Sequence, residues 1–189
     1  MKNFPTGQIL RSCSAALSGL FLLMAAVLLF SMPVRAEEVG PAFTLLSPAF
    51  ENEGRIPNKY TCRGADMSPP LAVKNIPEGT RALAMTVVDP EGVIGPWVHW
   101  IVYNINPDTT DIPENTQPGV QALNDFGNFY YGGPCLADEK PHKFIFTLYA
   151  LKAFLHDITE GATKDTLEIA IAGKIIAKAE LIGIYQNLD

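Results

Sequence analysis

Three strand-forming runs with no helix between them set the main constraint on this chain. Residues 82–88 are apolar almost throughout, with Val87 and Val88 β-branched, which suits a strand covered on both faces. Residues 99–104 alternate aromatic and large apolar groups. In residues 143–151, Phe144, Phe146, Leu148 and Ala150 fall on one face, and Ile145, Thr147, Tyr149 and Leu151 on the other. A parallel βαβ arrangement needs a crossover helix, and no helical period separates these runs. The expected fold is mainly β: an antiparallel β-sandwich of two sheets, with a C-terminal helix and long ordered loops.

Shorter elements fill in around these runs. Residues 42–46, 71–76 and 179–185 read as strands, residues 52–57 and 77–80 as turns, and residues 106–119 as irregular chain. Pro69 and Pro70 must edge or end a strand, because proline brings no ladder donor. Thr163 is a good N-cap with Asp165 in the first turn, predicting a helix that runs to about residue 176. Leu167, Ala170, Ile171 and Lys174 share one side of it. Residues 123–135 are rich in Gly, Asn and Tyr without helical period and predict an ordered loop. Its Gly132-Gly133-Pro134 is expected to expose backbone.

Residues 1–36 are expected to be a secretory signal peptide. Lys2 and Arg11 give a positive start, residues 17–30 form an apolar run short for a membrane span, and Val34-Arg35-Ala36 offers a cleavage site after Ala36. The alternative is an uncleaved anchor. Cleavage would leave one domain, residues 37–189, large enough for a real core. The leader's Lys2, Arg11 and Arg35 are balanced by no acid, so losing these three cations takes the formal charge from −6 to −9. Such an acidic chain is a poor partner for nucleic acid or for an anionic membrane surface. Only Cys62 and Cys135 would remain. An even count in an exported protein suggests a disulfide, with two unpaired buried thiols as the alternative.

Residues 89–100 link two of the strong runs through a Gly/Pro loop. Asp89 stands at one end, and His99, flanked by Trp97 and Trp100, at the other. An acid and an imidazole at opposite ends of one turn predict the lip of a pocket. His99 alone would read as a hydrogen-bonded core histidine. The reading shifts because residues 131–134 and His142 also bring glycine or polar groups to strand ends. His156 reads as a surface residue.

The residues are also recognisable in series. Tyr60-Thr61-Cys62, Ser68-Pro69-Pro70-Leu71, Asp89-Pro90-Glu91 and Trp97-Val98-His99-Trp100 with Val102-Tyr103-Asn104-Ile105 come first. Asn124-Asp125-Phe126-Gly127, Tyr131-Gly132-Gly133-Pro134-Cys135 and His142-Lys143-Phe144 follow, then Leu148-Tyr149-Ala150-Leu151 and Ala179-Glu180-Leu181-Ile182-Gly183. Each is weak alone; in this order they resemble the phosphatidylethanolamine-binding protein family, in its bacterial Raf-kinase-inhibitor-like (YbhB/YbcL-type) branch.

That resemblance implies a β-sandwich with a small pocket at one end that takes phosphate or a phosphorylated head group. Carried over by position, Asp89, Trp97, His99 and His142 would line the pocket, with Gly133 and Pro134 as its wall. Three departures stand out. Glu91-Gly92-Val93 replaces the family's usual Asp-Ala-Pro, Leu136-Ala137 replaces Pro-Pro, and Arg63 stands where aspartate is common. They put the ligand preference in question and predict a looser wall at residues 136–137.

The imidazoles could donate to phosphate oxygens, and so could bare glycine amides. Asp89 would accept from an imidazole and hold its tautomer. The expected function is therefore non-catalytic capture of a small anionic or phosphorylated ligand, with no cofactor and no stable membrane insertion after cleavage. Inhibition of a protein partner is implied only by the resemblance. A hydrolase using Asp89, His99 and His142, or a Cys135 nucleophile, is the alternative, although no serine or threonine sits in a nucleophile motif. A metal site from His99, His142, Asp89 and Glu91 lacks the usual ligand spacing, so no metal is expected.

Overall fold

A computed structural model describes residues 40–158 and 161–187, so the predicted leader lies outside the described residues. In chain order the strands are β1 (Thr44–Leu46), β2 (Gly54–Arg55), β3 (Leu71–Lys74), β4 (Ala82–Asp89) and β5 (Trp97–Ile105). Then come β6 (Asp111–Ile112), β7 (Val120–Gln121), β8 (His142–Leu151), helix α1 (Lys164–Ile171) and β9 (Ile175–Tyr185). A six-stranded sheet runs β2-β9-β8-β4-β5-β7, and a three-stranded sheet runs β1-β3-β6. Among the described residues every pairing between these strands is antiparallel except the two-residue contact of β2 with β9.

The predicted alternation in β8 explains the layering. Phe144, Phe146, Leu148 and Ala150 enter the core between the sheets, where they meet Leu45 of β1, Leu71 and Val73 of β3, and Ile112 of β6. Tyr149 and Leu151 face the other way, into a second core covered by Leu167 and Ile171 of α1 together with Leu155 and Ala162. Because both faces are covered, β4 is buried along nearly its whole length. Phe144 and Phe146 are fully covered, and burying each ring contributes roughly 1.5–3 kcal/mol of transfer free energy.

Several expectations need correction. The helix ends at Ile171 rather than near residue 176, because Gly173 takes a positive φ of 70° and turns the chain out of the helix. β9 consequently starts at Ile175, well before the expected residue 179. Thr163 occupies the N-cap position, but its hydroxyl makes no capping bond and lies 3.4 Å from the Thr166 hydroxyl instead. Residues 106–119 are not wholly irregular, since β6 lies within them, and β2 lies within the expected turn at 52–57. Among the described residues no helix is long and apolar enough to cross a membrane.

Candidate functional site

The ends of β4, β5 and β8 bring Asp89, His99 and His142 together, and each is only 3 % exposed. Asp89 ends β4 directly opposite Trp97 at the start of β5. One register step further, Val88 pairs with Val98 while Val87 pairs with Trp100, so His99 is an extra residue in β5. Such a bulge breaks the alternation of faces and re-aims a side chain. Val98 packs into the outer core and Trp100 into the inter-sheet core. The His99 ring meets Phe144 edge-on at 5.0 Å and Phe126 at 5.2 Å.

Each histidine is held by its Nδ1. His142 Nδ1 lies 2.7 Å from Asp89 Oδ2, while Asp89 Oδ1 accepts from the Glu91 amide at 2.8 Å. Behind the other ring nitrogen, Asp138 Oδ1 stands 3.3 Å from His142 Nε2. His99 Nδ1 lies 2.7 Å from the Gly132 carbonyl, which can only accept, so Nδ1 carries the proton. In return the Gly132 amide donates to the His99 carbonyl at 3.0 Å.

These surroundings drive the two imidazoles apart. Burial pushes His99 below its ordinary value of 6.5; the Gly132 and Gly133 carbonyls and the charges of Asp89 and Asp125 only partly offset this. Burial also works against the charge on His142. There the hydrogen bond and charge of Asp89, with Asp138 adding to them, outweigh it and raise the value above 6.5. The surroundings thus favour the neutral form of His99 and the charged form of His142.

The walls are mostly apolar. A pocket of about 210 Å³ is lined by Asp89, His99 and His142 together with Trp97, Phe126 and residues from the loops at 92–94 and 135–137. Trp97 and Phe126 meet edge to face at 5.5 Å. Val93 and Ile94 stand about four-fifths exposed at its rim, where the sequence departs at Gly92-Val93. Leu136 and Ala137, the second departure, form part of the wall itself. Arg63 is not among the lining residues.

Of the residues anticipated for the site, Asp89, Trp97, His99 and His142 line the pocket, whereas Gly133 and Pro134 do not. Nor does residues 132–134 expose backbone as expected: all three are buried. The Gly132 amide goes to His99, and the Gly133 amide donates to Asp66 Oδ1 at 2.7 Å, so neither is left for a ligand. Gly133 is needed for a close approach, since a Cβ there would lie 2.5 Å from the Tyr60 carbonyl oxygen. Cys62 and Cys135 form a disulfide with Cα atoms 5.3 Å apart, which leaves Cys135 no thiolate in this state.

Asn124, Phe126 and Asp138 were not singled out as site residues. Asn124 Nδ2 donates to the His99 and Tyr130 carbonyls, and its Oδ1 accepts from the Phe126 and Asn128 amides. This buried side chain holds the loop that carries Phe126. A motif at 124–127 was visible, but a lone amide in a loop does not announce four bonds. Asp138, four residues before His142, had no signal in the sequence beyond its proximity. Among the described residues no cluster of three or more His, Cys, Asp or Glu could hold a metal ion.

Comparison with known proteins agrees with this architecture. Residues 46–186 match the family model for phosphatidylethanolamine-binding protein. A UPF0098 protein of Chlamydia pneumoniae is 43 % identical over 149 residues, covering 76 % of this chain and 98 % of that one. A UPF0098 protein of Methanothermobacter thermautotrophicus is 38 % identical over 150 residues, with 76 % and 98 % covered. The crystal structure of a phosphatidylethanolamine-binding protein homologue from Chlamydia trachomatis superposes with a TM-score of 0.74 at 40 % identity, covering 78 % of this chain and 99 % of that one. Escherichia coli YbcL, described as a member of the same family, gives a TM-score of 0.72 at 28 % identity, with 78 % and 100 % covered. With a family model spanning most of the chain and relatives above one-third identity, this chain belongs to the phosphatidylethanolamine-binding protein family.

Proposed function

We propose that this protein is an exported, non-catalytic binding module that captures a small anion, phosphate or a phosphorylated head group, in the pocket between β4, β5 and β8. The observation that carries this reading is the His142 imidazole, buried in the pocket wall and bonded through Nδ1 to Asp89, whose charge favours the protonated ring. In a cavity whose walls are mostly apolar, an N–H of this ring attracts an anionic oxygen more strongly than it would in water, although Asp89 sets one negative charge beside it. The names of the matched relatives are consistent with a phosphorylated ligand. Export rests on the leader-like residues 1–36, and any protein partner would be met as a second role of the same module.

The hydrolase reading has an Asp–His pair in its favour. Against it, no serine or threonine among the described residues lines the pocket, and Cys135 is in the disulfide. Titration calorimetry of residues 37–189 with inorganic phosphate tests the binding reading. Binding should be saturable, with His142→Ala and His99→Ala each weakening it by roughly tenfold or more. Undiminished binding by both variants would place the anion elsewhere and sink the proposal.

A further inference from the structure

The side chains at this pocket accept more hydrogen bonds than they offer. Asp89 and Asp138 are carboxylates, which only accept when ionised. His142 has two N–H groups, but Nδ1 is committed to Asp89 at 2.7 Å and Nε2 faces Asp138 at 3.3 Å. His99 gives its Nδ1 proton to the Gly132 carbonyl, so the neutral ring carries its lone pair on Nε2. Among the described residues the hydrogen bond seen for the ring is that of Nδ1, with the Gly133 carbonyl also acting on it. Nε2 makes no hydrogen bond seen here and is not sealed away either, since among the described residues no buried side-chain nitrogen or oxygen lacks a partner. His99 lines the cavity, so the free lone pair opens on it.

The charges point the same way. Asp89 lines the pocket and Asp138, outside its lining, stands 3.3 Å from His142 Nε2, so two carboxylates face one imidazole, and among the described residues no lysine or arginine lines the pocket. A fully ionised oxyanion entering here would set a lone pair against His99 Nε2 and a negative charge against Asp138. An oxyanion that keeps one proton meets neither obstacle. Its bare oxygen accepts from His142 Nε2–H while its O–H donates to His99 Nε2 or to the Asp138 carboxylate.

We propose that the pocket selects a phosphoryl group that still carries a P–OH, rejects an unprotonated oxyanion such as sulfate, and owes this selectivity to Asp138 beside His142 and to the free lone pair of His99. The inference rests on the anion-binding reading above and deepens it by naming the protonation state of the ligand. Inorganic phosphate keeps a P–OH at neutral pH, and a phosphomonoester keeps one only below its second pKa of about 6. A phosphodiester, as in a lipid head group, has none.

The test is calorimetric titration near neutral pH with inorganic phosphate, sulfate, dimethyl phosphate and glycerophosphoethanolamine, on wild type and on Asp138→Asn. Asp138 is half-buried in a loop, and asparagine keeps its size while removing the charge and adding a donor. Phosphate should bind roughly tenfold or more tighter than sulfate and both diesters, because a site built around a ligand hydroxyl discriminates strongly against its loss. In Asp138→Asn, sulfate should gain and the ratio should shrink several-fold. Sulfate or dimethyl phosphate binding as tightly as phosphate would overturn the selectivity while leaving an anion pocket in place. Equal binding of glycerophosphoethanolamine alone would overturn it in favour of an ammonium donor, and an unchanged ratio in Asp138→Asn would overturn the role of Asp138. No binding of any anion to wild type would overturn the anion-binding reading itself.

Discussion

His99 and His142 sit at the same pocket, almost equally buried, yet their partners give them opposite tendencies. His99 hands its proton-bearing nitrogen to a neutral carbonyl, which does little to offset burial; His142 is bonded to a carboxylate, which does. Titration followed by the imidazole C–H signals in NMR should show His142 above 6.5 and His99 below it. Asp89→Asn should bring His142 down by removing the charge that holds its proton. A His142 value unchanged by that substitution would mean that Asp89 does not set it.

The linkage signs follow from these directions. His142 binds its proton more tightly when folded, so its contribution to stability is complete below 6.5 and is lost as pH rises through its raised value. His99 binds its proton less tightly when folded, so stability falls as pH drops from 6.5 through its lowered value.

At the scale of elements, the bulge in β5 and the loop after β7 build the pocket between them. The bulge lets His99 and Trp100, neighbours in sequence, both pack on the inter-sheet side. The loop is fixed to β5 by Asp125, whose carboxylate accepts from the Val98 amide at 2.7 Å, and by the four bonds of Asn124. Asn124→Ala would remove the side-chain partner of the Phe126 and Asn128 amides and of the Tyr130 carbonyl, while the His99 carbonyl keeps the Gly132 amide, a loss of about 2–3 kcal/mol by urea denaturation. Phosphate affinity should fall with it, since Phe126 is the wall that this side chain positions. A loss below about 0.5 kcal/mol would show that water replaces the amide at little cost.

For the whole molecule, the sandwich supplies rigid strand ends and the disulfide supplies the buttress. Cys62–Cys135, the Cys62 amide on the Pro134 carbonyl at 3.1 Å, and the Tyr131 hydroxyl on the Tyr60 carbonyl at 3.0 Å tie two distant loops together behind the pocket. The bridge spans a sequence separation of 73 residues, so the chain-entropy model assigns it a large effect. The double variant Cys62→Ser, Cys135→Ser should lose about 2–4 kcal/mol of unfolding free energy. An unchanged denaturation midpoint would show that the hydrogen bonds alone hold the loops.

How much of this was legible depended on the range of the interaction. The alternation at 143–151 and the apolar run at 82–88 fixed the central strands and their buried faces, because burial pattern is a local property written at period two. The order of motifs placed Asp89, Trp97, His99 and His142 at one site. The helix is shorter than its stripe of Leu167, Ala170, Ile171 and Lys174 predicts, because Gly173 turns the chain before Lys174 is reached. The glycine amides at 132 and 133 are expected to face a ligand; the tertiary structure directs them to the His99 carbonyl and the Asp66 carboxylate, 33 and 67 positions away. The sequence by itself determined which side chains could be charged, buried or strand-forming. Which imidazole favours its neutral form, where the bulge falls and which carboxylate stands behind His142 were decided only by tertiary structure, because each depends on contacts between segments whose separation the local pattern does not encode.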